Sequence, residues 1–195
     1  IIAFLGITYA LYAFLMQIGV DEGYEPIQPI HFSHKIHAGD NQIDCKYCHS
    51  GARTSAVAGV PSLNVCMGCH NTISEYEGEE DLANGYTKEF YTKEIKKLYE
   101  AVGWDEQKFR YTGTPKGVQW IRIHKLPDFT YFNHSQHVAV GGLECQKCHG
   151  EVQQMEVVHQ HAPLTMGWCI ECHRQMPVNA NNPYYQHYEE VHKAL

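Results

Sequence analysis

The chain has 195 residues and a formal net charge of −7 with histidine neutral. Much of its 44% apolar content lies in the first twenty positions, and the remainder is rich in Tyr, His, Gly and Pro, so an apolar core alone would be modest for this length. There is no basic run, which leaves nothing in favour of nucleic acid as a partner.

Residues 1–20 read IIAFLGITYALYAFLMQIGV, with no charge before Asp21. Twenty helical residues rise about 30 Å, the thickness of a bilayer's hydrocarbon core, so this stretch is expected to be a transmembrane anchor. The alternatives are a buried core helix and a signal peptide. A signal peptide has a shorter apolar region and a small-residue cleavage site, and no clear A-x-A precedes Asp21. The chain opens directly on Ile1-Ile2, so a charged flank is expected upstream of it. Residues 21–31, DEGYEPIQPIH, read as an extended linker, because Pro26 and Pro29 exclude a regular helix and bias their predecessors to extended backbone.

Residues 32–73 begin with FSHKIHAGDNQIDCKYCH, which ends in C-x-x-C-H at Cys45, Cys48 and His49. A second C-x-x-C-H follows at Cys66, Cys69 and His70, only sixteen residues on, too few for a separate domain between them. Residues 74–123 hold no cysteine and read as an insertion. Its acidic front, SEYEGEEDLANG, is expected to be a solvated loop. TKEFYTKEIKKLYEAVG then places Phe90, Tyr91, Ile95, Leu98, Tyr99 and Val102 at roughly helical spacing, with Thr87 to cap the start and Gly103 the end. That helix is expected to pack on the core, with a docking role for a partner subunit second. Residues 124–176 carry two more motifs, at Cys145, Cys148, His149 and at Cys169, Cys172, His173. The tail, 177–195, is expected to start irregular and end in a short helix around 184–195.

The halves repeat. Phe32, His34, His37, Cys45, Cys48 and His49 recur as Phe132, His134, His137, Cys145, Cys148 and His149, and a second motif follows in each half. C-x-x-C-H is the signature of covalent c-type haem: two thiols reach the vinyl groups and the next imidazole reaches the iron. All eight cysteines fall in the four motifs, leaving none for a disulfide. Zinc is the rival reading, but it has no need of a histidine after every pair. His49, His70, His149 and His173 are therefore the expected proximal ligands. His34, His37, His134 and His137 are the expected distal ones, with His124 next. His31, His159, His161, His187 and His192 read as non-ligands, and Met155 and Met166 as possible sulfur ligands. Imidazole on both faces gives a closed iron suited to electron transfer. No nucleophile–base pair and no phosphate loop is visible. The expected fold is mostly irregular and haem-packed, with short α-helices and one N-terminal transmembrane α-helix. Covalent haem is attached outside the cytoplasmic membrane, so the haem domain is expected on the periplasmic side of a bacterial cytoplasmic membrane, held by that single anchor.

The F-x-H-x-x-H…C-x-x-C-H segments resemble the multihaem cytochrome c3/c7 class. The resemblance implies that the first histidine serves the haem of the following motif, His34 for Cys45/Cys48 and His134 for Cys145/Cys148, while His37 and His137 reach other haems. Longer strings, including PIQPIHFSHKIHAGDNQIDCKYCHSGAR, VPSLNVCMGCH, WIRIHKLPDFTYFNHSQHV and PLTMGWCIECHR, resemble the membrane-anchored pentahaem cytochrome c subunit of bacterial alternative complex III over about residues 26–176. That resemblance implies a non-catalytic subunit of a menaquinol-oxidising complex. Its partners would be integral-membrane quinol-binding subunits, an iron–sulfur subunit, and a monohaem cytochrome c or terminal oxidase as acceptor. A stand-alone quinol dehydrogenase is the alternative. The family carries five motifs and this chain four, so a fifth haem is expected beyond Leu195 or this chain carries four only.

Overall fold

A computed structural model describes residues 1–176 and 181–193. Residues 177–180 and 194–195, at the two ends of the expected tail segment, lie outside the described residues.

The N-terminal expectation is corrected first. Helix α1 runs only Ile2–Met16, fifteen residues, which at 1.5 Å per residue is about 22 Å. Residues 17–19 form a turn, and Gly19 and Gly23 both take left-handed backbone, φ +79 and +80. The twenty-residue apolar run is therefore not one helix. Among the described residues no helix is long and apolar enough to cross a membrane. The expected transmembrane α-helix over residues 1–20, and the single-anchor placement in a cytoplasmic membrane that rested on it, both fall with this observation.

The two motif-bearing segments are short helices in otherwise irregular chain. Helix α2 is Cys45–Cys48 and α3 is Leu63–His70. Their counterparts are α5, Gln146–His149, and α6, Met166–Gln175. Ahead of α2 lies a π-helical turn, Lys35–Asp40, and ahead of α5 another, Gln136–Val140. A π turn is rare and concentrates at functional sites. Here it occurs twice, about one hundred positions apart, just past each F-x-H.

The halves hold each other. The backbone N–H of Lys35 donates to Met155 O at 3.0 Å, and that of Ser135 donates to Ser55 O at 3.1 Å. Each π turn is thus hung on the loop that follows the first motif of the other half. The segment before Phe32 is sewn on as well. Gln28 makes a two-point bond to the backbone of Ile121, 2.9 Å each way, and Gly23 and Tyr24 pair with Gln160.

Between the halves the chain forms helix α4, Lys88–Val102. The Thr87 side chain accepts from Phe90 N–H, and Gly103, at φ +71, ends the helix in the left-handed region. A two-residue hairpin follows, β1 (Trp104–Asp105) antiparallel to β2 (Arg110–Tyr111). The buried apolar cluster is small: Leu98, Tyr99 and Val102 of α4 against Met67 of α3, flanked by Ile30, Leu63, Ile95 and Trp104. Full burial of such side chains stabilises by about 1.5–3 kcal/mol each, so this core holds α4 to α3 without filling the two halves. Helix α7, Pro183–Lys193, closes the described chain.

Candidate functional site

The eight cysteines lie on α2, α3, α5 and α6 or at their edges, and none is in a disulfide. Each motif histidine is brought opposite one histidine that lies within a π turn or just before it. His34 faces His49 with ring centroids 6.4 Å apart and planes 5° from parallel. His134 faces His149 at 6.4 Å and 11°. His37 faces His70 at 6.1 Å and 53°, and His137 faces His173 at 6.0 Å and 87°. A transition metal binds an imidazole nitrogen at about 2.0–2.1 Å, and that nitrogen lies about 1.1 Å from its ring centroid, so two imidazoles across one ion stand about 6.3 Å apart. All four separations fall close to that distance.

The outward nitrogens point the same way. Nδ1 lies 2.6 Å from Gly59 O in His49, 2.9 Å from Ile73 O in His70, 2.8 Å from Ser33 O in His37, 2.9 Å from Ala56 O in His134 and 2.8 Å from Asn133 O in His137. A carbonyl can only accept, so each Nδ1 carries the proton and Nε2 keeps its lone pair for a metal. His34 Nδ1 is buried without a partner. Burial, with His49 and His37 adding to it, lowers His34 to about 4, and burial followed by His124 lowers His149 to about 4. Both rings are therefore neutral, the form that coordinates, at ordinary pH.

Phe32 and Phe132 fix the paired histidines. Phe32 stands edge-on to His34 at 4.9 Å and stacks on His37 at 4.2 Å. Phe132 repeats this at 4.9 Å to His134 and 4.4 Å to His137. One aromatic ring thus sets two imidazoles at a fixed angle and sends them toward different partners. Sequence reading found the phenylalanines but not this role, although their recurrence with a fixed shift was the available signal. The carbonyls of Gly59, Ile73 and Ala56 carry no side-chain signal at all.

The thiols show which motifs are neighbours. Burial raises Cys48, with Cys45 and Cys69 adding to it, and burial raises Cys66, with Cys48 adding to it. Cys148 is raised by burial and then by Cys172 and Cys169. Cys145 is raised by burial and then by the neighbouring Cys45. The motifs therefore adjoin in the order 66–70, 45–49, 145–149, 169–173, and the two halves meet where Cys45 approaches Cys145.

The remaining histidines fall elsewhere. His124 lies behind His149, its Nε2 3.2 Å from His149 Nδ1. His31 contacts Glu156 at 2.7 Å and is ringed by Tyr86, Phe90 and Tyr91. His159 lies 3.8 Å from Glu25, and His192 lies against Tyr188, ring centroids 4.2 Å apart and tilted by 48°. Met166 is 61% exposed, and Met155 contributes its backbone oxygen to the Lys35 contact. Among the described residues, no three His, Cys, Asp or Glu side chains come together as a metal cage. What comes together is pairs of imidazoles beside pairs of thiols, a donor set that fits a planar macrocycle carrying its own four equatorial ligands.

Residues 16–98 match the class III cytochrome c family. The match implies covalently bound haem c. It covers the first half and runs into α4, ending at Leu98; the second half lies beyond it and is related to the first by the internal repeat. The multihaem cytochrome c subunit of menaquinone reductase from Nitratidesulfovibrio vulgaris is 30% identical over 122 residues, 63% of this chain and 45% of that protein. The chain thus spans less than half the length of this relative.

Proposed function

We propose that this chain is a multihaem electron-transfer subunit of a menaquinone-linked oxidoreductase. Haem c bound here would supply reversible one-electron chemistry at an iron closed on both faces. Each pair of cysteines, 45/48, 66/69, 145/148 and 169/172, anchors one macrocycle through thioethers. His49 and His34 close the first iron, His70 and His37 the second, His149 and His134 the third, and His173 and His137 the fourth. The single observation that carries this reading is the set of four imidazole pairs at 6.0–6.4 Å.

The residues work by holding geometry. Nδ1 protons anchored on carbonyls in His37, His49, His70, His134 and His137 would keep those Nε2 atoms aimed at their irons, and the phenylalanine wedges stop the distal rings turning. With both faces closed no substrate reaches the metal, so the protein carries electrons without transforming a bound molecule. The order of adjoining motifs gives a row in which 45–49 and 145–149 are central. His173 at one end is exposed while His49, His70 and His149 are partly covered, which favours that end for exchange with a partner.

Within this reading the alternative complex III resemblance assigns an iron–sulfur subunit as donor and a monohaem cytochrome c or terminal oxidase as acceptor. The named relative belongs to a menaquinone reductase, and the same row serves electrons moving in either direction. The decisive experiment is the intact mass and visible spectrum of the purified chain. Four covalent haems add about 0.6 kDa each and give one sharp reduced c-type band with low-spin iron throughout. A mass without these additions, or a zinc-loaded protein without the band, rejects the proposal.

A further inference from the structure

Five of the anchored Nδ1 groups donate to a backbone carbonyl; His149 does not. Its Nδ1 lies 3.2 Å from His124 Nε2, with the two rings 4.4 Å apart and 80° from parallel. Two nitrogens at this separation share one proton. If His149 binds iron through Nε2, its Nδ1 must carry that proton, and His124 Nε2 is the acceptor. The backbone there is held as well: Arg122 Nε donates to the His124 carbonyl at 2.9 Å, and the residue is half-buried.

We infer that His124 is a positioning residue for the 145–149 site, accepting the Nδ1–H of His149 and thereby making that imidazole a more electron-donating ligand than His49 or His70, whose Nδ1 groups meet carbonyls. The inference rests on the four-pair ligand assignment above. An imidazole nitrogen is a stronger base than a peptide carbonyl, so it draws the shared proton further from His149. A ligand with more imidazolate character stabilises oxidised iron over reduced iron, which lowers the potential of that one site. One of the two central sites in the row is thereby set apart from its duplicate, His49, whose Nδ1 meets only Gly59 O. The residue corresponding to His124 in the first half is Tyr24, and it makes no such contact with His49: Tyr24 O accepts from Gln160 N–H instead.

The test is a potentiometric titration of the full holoprotein at pH 8, where an unperturbed histidine is neutral, with each site followed by EPR. In His124→Phe, one of the four sites should shift upward, becoming about fivefold more reduced at its wild-type midpoint, the equilibrium worth of one ordinary hydrogen bond. The other three midpoints and the low-spin spectrum should stay as they were. His124→Gln, which restores an acceptor oxygen, should recover part of the shift. Unchanged midpoints in His124→Phe overturn the inference. So does a new high-spin signal, which would make His124 an axial ligand. Failure of the ligand assignment itself shows differently, as missing low-spin iron in the wild-type protein. Should His124→Phe not accumulate, nitrogen-15 histidine spectra of the reduced wild-type protein decide: an unprotonated, metal-free His124 Nε2 is required, and a protonated or iron-bound one rejects the idea.

Discussion

At the scale of single residues the four imidazole pairs are not alike. His34/His49 and His134/His149 are near parallel, at 5° and 11°, while His37/His70 and His137/His173 are turned by 53° and 87°. The mutual angle of axial imidazoles sets the rhombic splitting of low-spin ferric iron, so EPR of the oxidised protein should resolve two classes of two sites each. Four identical signals would contradict the pairing. Replacing His37 with alanine should open one iron only, the one beside His70, giving a high-spin, carbon-monoxide-binding fraction of about one site in four. The same signal in that variant from the His49 site would mean that the turn presents its histidines the other way round. Much of this was legible in the sequence, because F-x-H-x-x-H and C-x-x-C-H name their atoms by spacing. The partners of His37 and His137 were not. They depend on a π turn, whose extra residue per turn rotates the second imidazole, and composition carries no signal for that.

At the scale of elements, α4 shows a sequence read accurately because each signal is local. Thr87 supplies a cap oxygen, Gly103 the left-handed stop, and the apolar positions a single face. What α4 is for was not legible, since it depends on a residue 65 positions away: Tyr91 donates to Glu156 at 2.8 Å, and the same carboxylate accepts from Ser33 at 2.7 Å and contacts His31 at 2.7 Å. One carboxylate therefore ties α4, the first π turn and the second half together. Glu156→Ala should lower the unfolding free energy in denaturant by about 2–4 kcal/mol, because it strands several partly buried polar groups, and Glu156→Gln by less. The Tyr91 phenol is held above its ordinary range by burial and then by Glu156. The unfolded chain loses that proton near pH 10 while the folded chain keeps it. Stability from this group is complete below pH 10 and is lost as pH climbs beyond it. Alkaline unfolding curves should show that fall, and Tyr91→Phe should flatten it. By contrast α1 was misread from a signal that was also local. Twenty apolar letters gave length, but Gln17 and the left-handed Gly19 stop the helix at Met16.

At the scale of the molecule, the two halves cannot be separated without cost to their sites. A chain ending at residue 123 loses Met155 as the acceptor for Lys35 and Glu156 as the partner of His31 and Ser33. Such a fragment should still attach haem at two motifs but show a mixture of high- and low-spin iron in its absorption spectrum, where the full chain is expected to be low-spin throughout. A fully low-spin fragment would show that each half is self-sufficient. The contacts between the halves have one more property. Lys35 reaches Met155 as Ser135 reaches Ser55, and Cys45 lies beside Cys145. In each case position i meets j plus one hundred while i plus one hundred meets j, and the one self-matching pair sits at the centre. That is the rule of an isologous dimer written into one chain, with its dyad running between the two thiols. A dyad makes its two arms equivalent, so the duplicated part of the row has no preferred direction of its own. Any polarity must come from what was not copied: α4 with its hairpin, the N-terminal segment, and the unmatched histidine behind His149.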